Sequence, residues 1–170
     1  MRQAVIAGYA RSPFHFAAKG DLATVRPDDM AATVITELLK RTGVSHDAIE
    51  DLILGCAFPE GEQGFNVARL IVNIAKLPNS IGGVTVNRFC GSSMQSIHQA
   101  AGAIAIGAGD VFICAGVESM SRAPFVMSKA DAALSVSVRA RPSSAASRDA
   151  EGLASTRTGG HHGRQECGDR

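Results

Sequence analysis

The sequence contains no run of the roughly 20 apolar residues that a bilayer-crossing helix needs, and so gives no reason to expect a membrane partner. It also lacks an excess of either charge. Its 17 Lys and Arg against 16 Asp and Glu leave a formal +1, which supplies no electrostatic case for nucleic acid binding. A secretory leader pattern is missing, because Arg11, His15 and Lys19 interrupt the first apolar run. The cysteines Cys56, Cys90, Cys114 and Cys167 show neither the close pairing of a disulfide scaffold nor zinc-ligand spacing. They read as free thiols in a reducing compartment, with the cytoplasm as the default location and no metal expected.

What is present suits one ordinary α/β core, since 170 residues at 45% hydrophobic content exclude a wholly disordered chain. The pattern changes along the chain. Up to about residue 134 apolar strands alternate with helices. From 135 to 170 the composition turns to Arg, Ser, Ala and Gly, as in Arg141-Pro-Ser-Ser-Ala-Ala-Ser147 and Thr158-Gly-Gly-His-His-Gly163. That stretch is expected to be low-complexity and disordered, or the product of a shifted reading frame. The expected division is therefore 1–134 as the folded part and 135–170 as a tail.

Within 1–134, residues 4–7 form a short strand candidate. Pro27-Asp28-Asp29 opens a helix, with the aspartates at its positive end, Lys40 and Arg41 at its negative end and Gly43 as the stop. Ala31, Val34, Ile35, Leu38 and Leu39 recur at helical spacing and mark its apolar face. Residues 51–56 read as a buried strand, 66–75 as a second helix, 84–86 as a strand and 111–115 as another. Residues 91–106 read as a helix of small and apolar residues, almost free of charge and expected to be enclosed. This alternation predicts an α/β domain with a mostly parallel sheet.

Cys90 lies in Val84-Thr-Val-Asn-Arg-Phe-Cys-Gly-Ser-Ser-Met94, between a strand and that third helix. Unpaired donors at a helix start favour a thiolate, Gly91 lets an acyl group approach, and Ser92 and Ser93 can satisfy local polar groups. Such a junction suits nucleophilic acyl transfer through a thioester. A buried, inert cysteine packed at the junction is the competing reading. Cys56 and Cys114, in apolar strand contexts, read as core residues. His98 is eight residues beyond Cys90, about 12 Å along a helix, and reads as a face residue rather than a base. Gly61 and Gly64 make no phosphate cradle, because Glu60 and Glu62 oppose an anion.

Several strings then occur in order: Arg11-Ser-Pro-Phe14, Arg26-Pro-Asp-Asp29, Gly55-Cys-Ala-Phe-Pro-Glu-Gly-Glu-Gln-Gly-Phe-Asn-Val-Ala-Arg69, Val86-Asn-Arg-Phe-Cys-Gly-Ser-Ser-Met-Gln-Ser-Ile97 and Gly116-Val-Glu-Ser-Met-Ser-Arg-Ala-Pro-Phe125. Together they resemble thiolases, the family of acetyl-CoA acetyltransferase and 3-ketoacyl-CoA thiolase, over the N-terminal third of a family member. The resemblance implies a layered α/β fold present as an incomplete N-terminal domain, with a central mostly parallel or mixed sheet. It implies Cys90 as the acyl-thioester nucleophile, with Asn87, Arg88, Gly91, Ser92 and Met120 orienting it or lining its pocket. For Asn87 and Arg88 ordinary turn hydrogen bonding, or contact with a neighbouring subunit, stays open; for Met120, filling space does. Glu118, Ser119 and Ser121 are expected to shape the pocket.

Coenzyme A and acyl-CoA enter as substrates, no cofactor is expected to stay bound, and the residues that would hold CoA are not identified. A homodimer or homotetramer and a place in fatty acid metabolism are further implications. Family members also use a histidine from Gly-His-Pro, a second cysteine from Cys-x-Gly and an Asn-Glu-Ala-Phe motif. None of the three reads as present in this chain; His161, His162 and Cys167 lie outside such patterns. The expectation is thus a thiolase-type acyltransferase by descent with little turnover by this polypeptide alone. The alternative is a noncatalytic fragment or interaction module that associates with a full-length thiolase.

Overall fold

A computed structural model describes residues 2–124. Its first regular element, α1 (Pro27–Thr42), carries the terminal chemistry expected of it. Pro27 occupies the first turn, Asp28 and Asp29 follow, Lys40 and Arg41 close the last turn, and Gly43 at φ 65 donates its N–H to the Leu39 carbonyl. Then come β1 (Asp51–Gly55), α2 (Val67–Ile74), β2 (Gly82–Val86), α3 (Ser92–Ile106) and β3 (Phe112–Gly116). Short 3-10 turns lie at His46–Ala48 and Gly61–Gln63.

The three strands form one parallel sheet in the order β2-β1-β3, with Asp51 opposite both Gly82 and Phe112. Because all three run the same way, the loops after Gly55, Val86 and Gly116 leave from one edge of the sheet. The central strand is buried on both faces. Leu52, Leu54 and Cys56 join the core with Val67, Ile71 and Val72 of α2 and Ile35 and Leu39 of α1, whereas Ile53 is buried outside that cluster. The alternation follows from the two-residue period of a strand. α3 lies on the other face, where Cys114 donates to the Ser96 carbonyl at 3.6 Å.

Glycine is required where α3 meets the strand ends. A Cβ on Gly55 would lie 2.4 Å from Ser92 C and Ser93 N, and one on Gly116 would lie 1.9 Å from Ser93 Oγ. The first turn of α3 therefore sits almost on the strand backbones, a closeness that only a residue without a side chain permits.

Two expectations need correction. Residues 4–7 form no strand; Val5 and Ile6 are 83% and 78% exposed. A contact between Arg2 and Asp110 brings the segment toward the start of β3, but the backbone ladder that defines a strand is not made. Nor is α3 enclosed. It buries Ser92, Ser96 and Ala100 toward the sheet, while Met94, Ile97 and Ile106 are exposed. Its small residues record close packing on one side only. No helix among the described residues is long and apolar enough to cross a membrane. The expected tail at 135–170, with His161, His162 and Cys167, lies outside the described residues.

Candidate active site

Five residues, 87–91, carry the chain from the end of β2 into α3, and this brevity forces a sharp turn. Phe89 takes a left-handed conformation at φ 48, uncommon for a residue with a side chain. Internal hydrogen bonds hold the turn. Gly91 N–H and Ser92 N–H donate to the Arg88 and Phe89 carbonyls at 3.1 and 3.0 Å. Ser92 Oγ accepts from Arg88 N–H at 2.8 Å and donates to the Phe89 carbonyl at 2.6 Å. Asn87 Oδ1 accepts from Phe89 N–H at 2.9 Å, and Asn87 Nδ2 donates to the Ala57 carbonyl at 2.9 Å. Arg88 reaches along the helix to Gln95 Oε1 at 2.6 Å.

Cys90 lies at the apex of this turn and is exposed, which removes the reading of a buried, packed cysteine. It precedes Gly91, the N-cap residue of α3, and no side chain caps that helix start. Ser92 N–H is taken by the Phe89 carbonyl, and the Ser93 and Met94 N–H groups of the first turn remain as donors near the sulfur. Asn87, Arg88, Gly91 and Ser92 come together with Cys90 in one turn, as residues adjacent in sequence must. Met120 lies on the separate loop after β3 and is 56% exposed. His98 is exposed on α3.

The other two described thiols are chemically quieter. Burial, and then the charge of Glu118, pushes the Cys56 thiol up to about 11. Burial also pushes Cys114 up, partly offset by the Ser96 side-chain hydroxyl. Cys114-Ala115-Gly116 does spell Cys-x-Gly, a coincidence that the motif reading passed over. Its place within β3 and its bond to Ser96 mark a packing thiol.

The residues that sequence reasoning missed sit beside this turn. Gln63, 2% exposed, uses its whole amide: Nε2 donates to the Phe58 carbonyl at 3.0 Å and to Glu118 Oε1 at 3.3 Å, and Oε1 accepts from Ser119 N–H. Its neighbour Glu62 forms ion pairs with Arg122 and Arg26, and Arg26 also grips the buried Asp28 carboxylate at 2.7 Å. Arg122, through its hydrogen bonds and charge, holds the Glu62 carboxyl below its ordinary range. Of the two charges that oppose a phosphate at this loop, that of Glu62 is thus spent in tying loops together. Spacing hid this role, because Gln63 follows Glu60 and Glu62 in a glycine-rich turn and reads as one more polar loop residue. Two clefts lie against α1, and neither is lined by a residue of the Cys90 turn. The chemistry of the turn, rather than concavity, therefore locates the site.

An exposed thiol on a strained strand-to-helix turn, at the carboxyl edge of a parallel sheet, lies where open α/β sheets bind their ligands. The family description "Thiolase, N-terminal domain" matches residues 4–163, running past the compositional break near 134. The chain belongs to the thiolase family, and its described part is an α/β unit of the thiolase fold. It is 52% identical over 126 residues to the 3-ketoacyl-CoA thiolase of Bacillus subtilis, covering 74% of this chain and 32% of that protein. It is 48% identical over 136 residues to the 3-oxoadipyl-CoA/3-oxo-5,6-dehydrosuberyl-CoA thiolase of Escherichia coli, covering 79% of this chain and 34% of that one. Among solved structures it resembles the Acat5 thiolase of Ascaris suum in complex with coenzyme A, with a TM-score of 0.63 and 34% identity over 68% of this chain and 30% of that chain. The chain spans about a third of the length of the curated relatives it matches.

Proposed function

We propose that this chain carries the acyl-accepting half of a thiolase site, with Cys90 as the nucleophile. The observation that carries the reading is the exposed Cys90 at the uncapped start of α3. In the degradative direction the thiolate attacks the keto carbon of a 3-ketoacyl-CoA. The carbon–carbon bond then breaks, the leaving acetyl-CoA carbanion takes up a proton, and the shortened acyl group remains on sulfur as a thioester. Free CoA next attacks that thioester and leaves with the acyl group, which returns the thiolate. In the synthetic direction acetyl-CoA acylates Cys90 and a second acetyl-CoA supplies the carbanion. Backbone N–H groups at the start of α3 are the nearest fixed donors for the oxyanion of either step. Asn87, Arg88, Gly91 and Ser92 orient the turn, and Met120 lines the acyl path.

The names of the two relatives differ in acyl group but share a β-keto thioester, and that shared class is the substrate we assign. CoA is a substrate here rather than a resident cofactor. Proton transfer to the carbanion requires an acid, and no histidine or second activated thiol stands in the turn that presents Cys90. We therefore expect acyl capture by the 170-residue chain without appreciable cleavage of a 3-ketoacyl-CoA. Incubation with acetyl-CoA followed by peptide mapping tests the first half: acetylation at Cys90 that is lost in Cys90→Ser supports the reading, and equal labelling of the Ser variant opposes it. Sustained CoA-dependent cleavage of acetoacetyl-CoA by the purified chain would contradict the second half.

The exposed apolar residues Met94, Ile97 and Ile106 of α3 favour a second reading, in which this unit associates with a full-length thiolase or another copy of the family. Co-elution on size exclusion after mixing supports it, and independent elution opposes it. Residues 1–134 are the unit to which we assign the site, with 135–170 as a compositionally separate segment.

A further inference from the structure

The carboxylate of Glu118, on the loop after β3, meets two consecutive backbone donors of the loop after β1. Oε2 accepts from Ala57 N–H at 2.7 Å and Oε1 accepts from Phe58 N–H at 3.3 Å. The buried Gln63 amide closes the arrangement, since it bonds Glu118, the Phe58 carbonyl and Ser119 N–H together. Successive N–H groups converging on one carboxylate fix the orientation of the peptide between them. That peptide's other pole, the Ala57 carbonyl, accepts from Asn87 Nδ2. Asn87 Oδ1 in turn accepts from Phe89 N–H, the residue held at φ 48 immediately before Cys90. An unbroken path of hydrogen bonds thus joins Glu118 to the strained residue of the nucleophile turn. A left-handed non-glycine residue persists only where its surroundings over-determine it.

We propose that Glu118, seated by Gln63, is a positioning residue that holds the Cys90 turn in its reactive geometry through the 57–58 peptide and Asn87. The inference rests on Cys90 as the reactive thiol, and it adds a residue that touches neither the sulfur nor the acyl group. Loss of the carboxylate frees the 57–58 peptide to rotate, withdraws the carbonyl that anchors Asn87, and lets Phe89 relax. The sulfur then drifts from the donors at the start of α3. The same carboxylate faces the Cys56 thiol at 3.9 Å, so it disfavours ionisation of the neighbouring thiol while it organises the turn of the reactive one.

The test is the rate of alkylation at Cys90 by iodoacetamide in the 170-residue chain, read by peptide mapping, for Glu118→Gln, Glu118→Leu, Asn87→Ala and Glu118→Leu/Asn87→Ala. Glu118→Leu, which removes both acceptors at similar size, is expected to slow Cys90 about fivefold, the scale of one lost hydrogen bond. Glu118→Gln, which keeps one carbonyl oxygen, should fall between it and the parent. The double variant should be no slower than Asn87→Ala alone, because both changes cut the same path. Parent rates in both Glu118 variants, or losses that simply add with Asn87→Ala, would overturn the proposal. Circular dichroism confirms that each variant is folded. If Glu118→Leu does not fold, Glu118→Gln decides: a twofold or greater slowing supports the proposal and an unchanged rate overturns it. Acetyl-CoA labelling of the parent is scored separately. A parent that alkylates in this order yet accepts no acetyl group refutes the acyl-transfer reading and leaves the positioning role standing.

Discussion

Gly55→Ala tests how closely the nucleophile turn is seated on the sheet. A Cβ at Gly55 falls 2.4 Å from Ser92 C and Ser93 N and 2.8 Å from Ser92 O. Carbon contacts settle near 3.5–4.0 Å, so the first turn of α3 must retreat by about 1 Å. The obstacle is helix backbone rather than a flexible side chain, and overpacking of this kind costs about 1–3 kcal/mol, a sizeable share of a typical domain's stability of about 5–15 kcal/mol. Because Cys90 lies two residues before Ser92, the retreat also moves the sulfur. Urea unfolding followed by circular dichroism should show a lower midpoint at unchanged slope, and alkylation at Cys90 should slow in the same variant. Gly102→Ala is the internal control. It lies in the same helix with nothing within 4 Å of the added carbon, and should stabilise the chain by about 0.5–1 kcal/mol. A Gly55→Ala chain with parent stability and parent Cys90 reactivity would refute the seating of α3 on β1.

Two further predictions follow from single strained or unsatisfied groups. Asp51 Oδ1 is buried without a hydrogen-bond partner, and burial raises the Asp51 carboxyl above its ordinary range. The unfolded chain therefore loses this proton first as pH rises, so stability falls between the ordinary carboxylate value near 3.9 and the raised folded one. Asp51→Asn should add about 1 kcal/mol at neutral pH, with the gain vanishing below that window in urea titrations at several pH values; a gain that persists in acid would contradict this. Phe89 combines φ 48 with 71% exposure of the residue. Phe89→Gly should cost less than about 0.5 kcal/mol despite deleting the whole ring, whereas Phe89→Val should cost more than about 1 kcal/mol because branched residues resist this conformation. The reverse order in thermal or urea unfolding would show that the turn is not strained.

The elements legible in the sequence were those whose ends carry their own chemistry. Pro27, the two aspartates, Lys40, Arg41 and Gly43 mark both ends of α1, and the β-branched and apolar runs around residues 53, 84 and 113 became the three strands. Cys90 was legible because a strand and a helix are separated there by only a few residues, among them a glycine, with two serines opening the helix. Residues 4–7 have strand composition, but a strand exists only where a neighbour offers its backbone, and local sequence does not reveal the neighbour. α3 misled for a related reason: small residues report close approach without saying on how many sides. The Gln63–Glu118 latch joins residues 55 apart in sequence. Its members looked like ordinary polar loop residues because their partners are backbone groups brought close only by the parallel order of β1 and β3.

The most direct test of the central claim is competition among the chain's own thiols for an acyl group from acetyl-CoA at pH 8, read by peptide mapping. With its thiol pushed up to about 11, Cys56 holds roughly one thiolate in a thousand under those conditions, and Cys114 is likewise raised by burial. The account predicts that the acetyl group accumulates on Cys90, well ahead of both, and that CoA removes it again. Acetylation that favours Cys56 or Cys114, or that spreads evenly over the thiols of the folded chain, would contradict it.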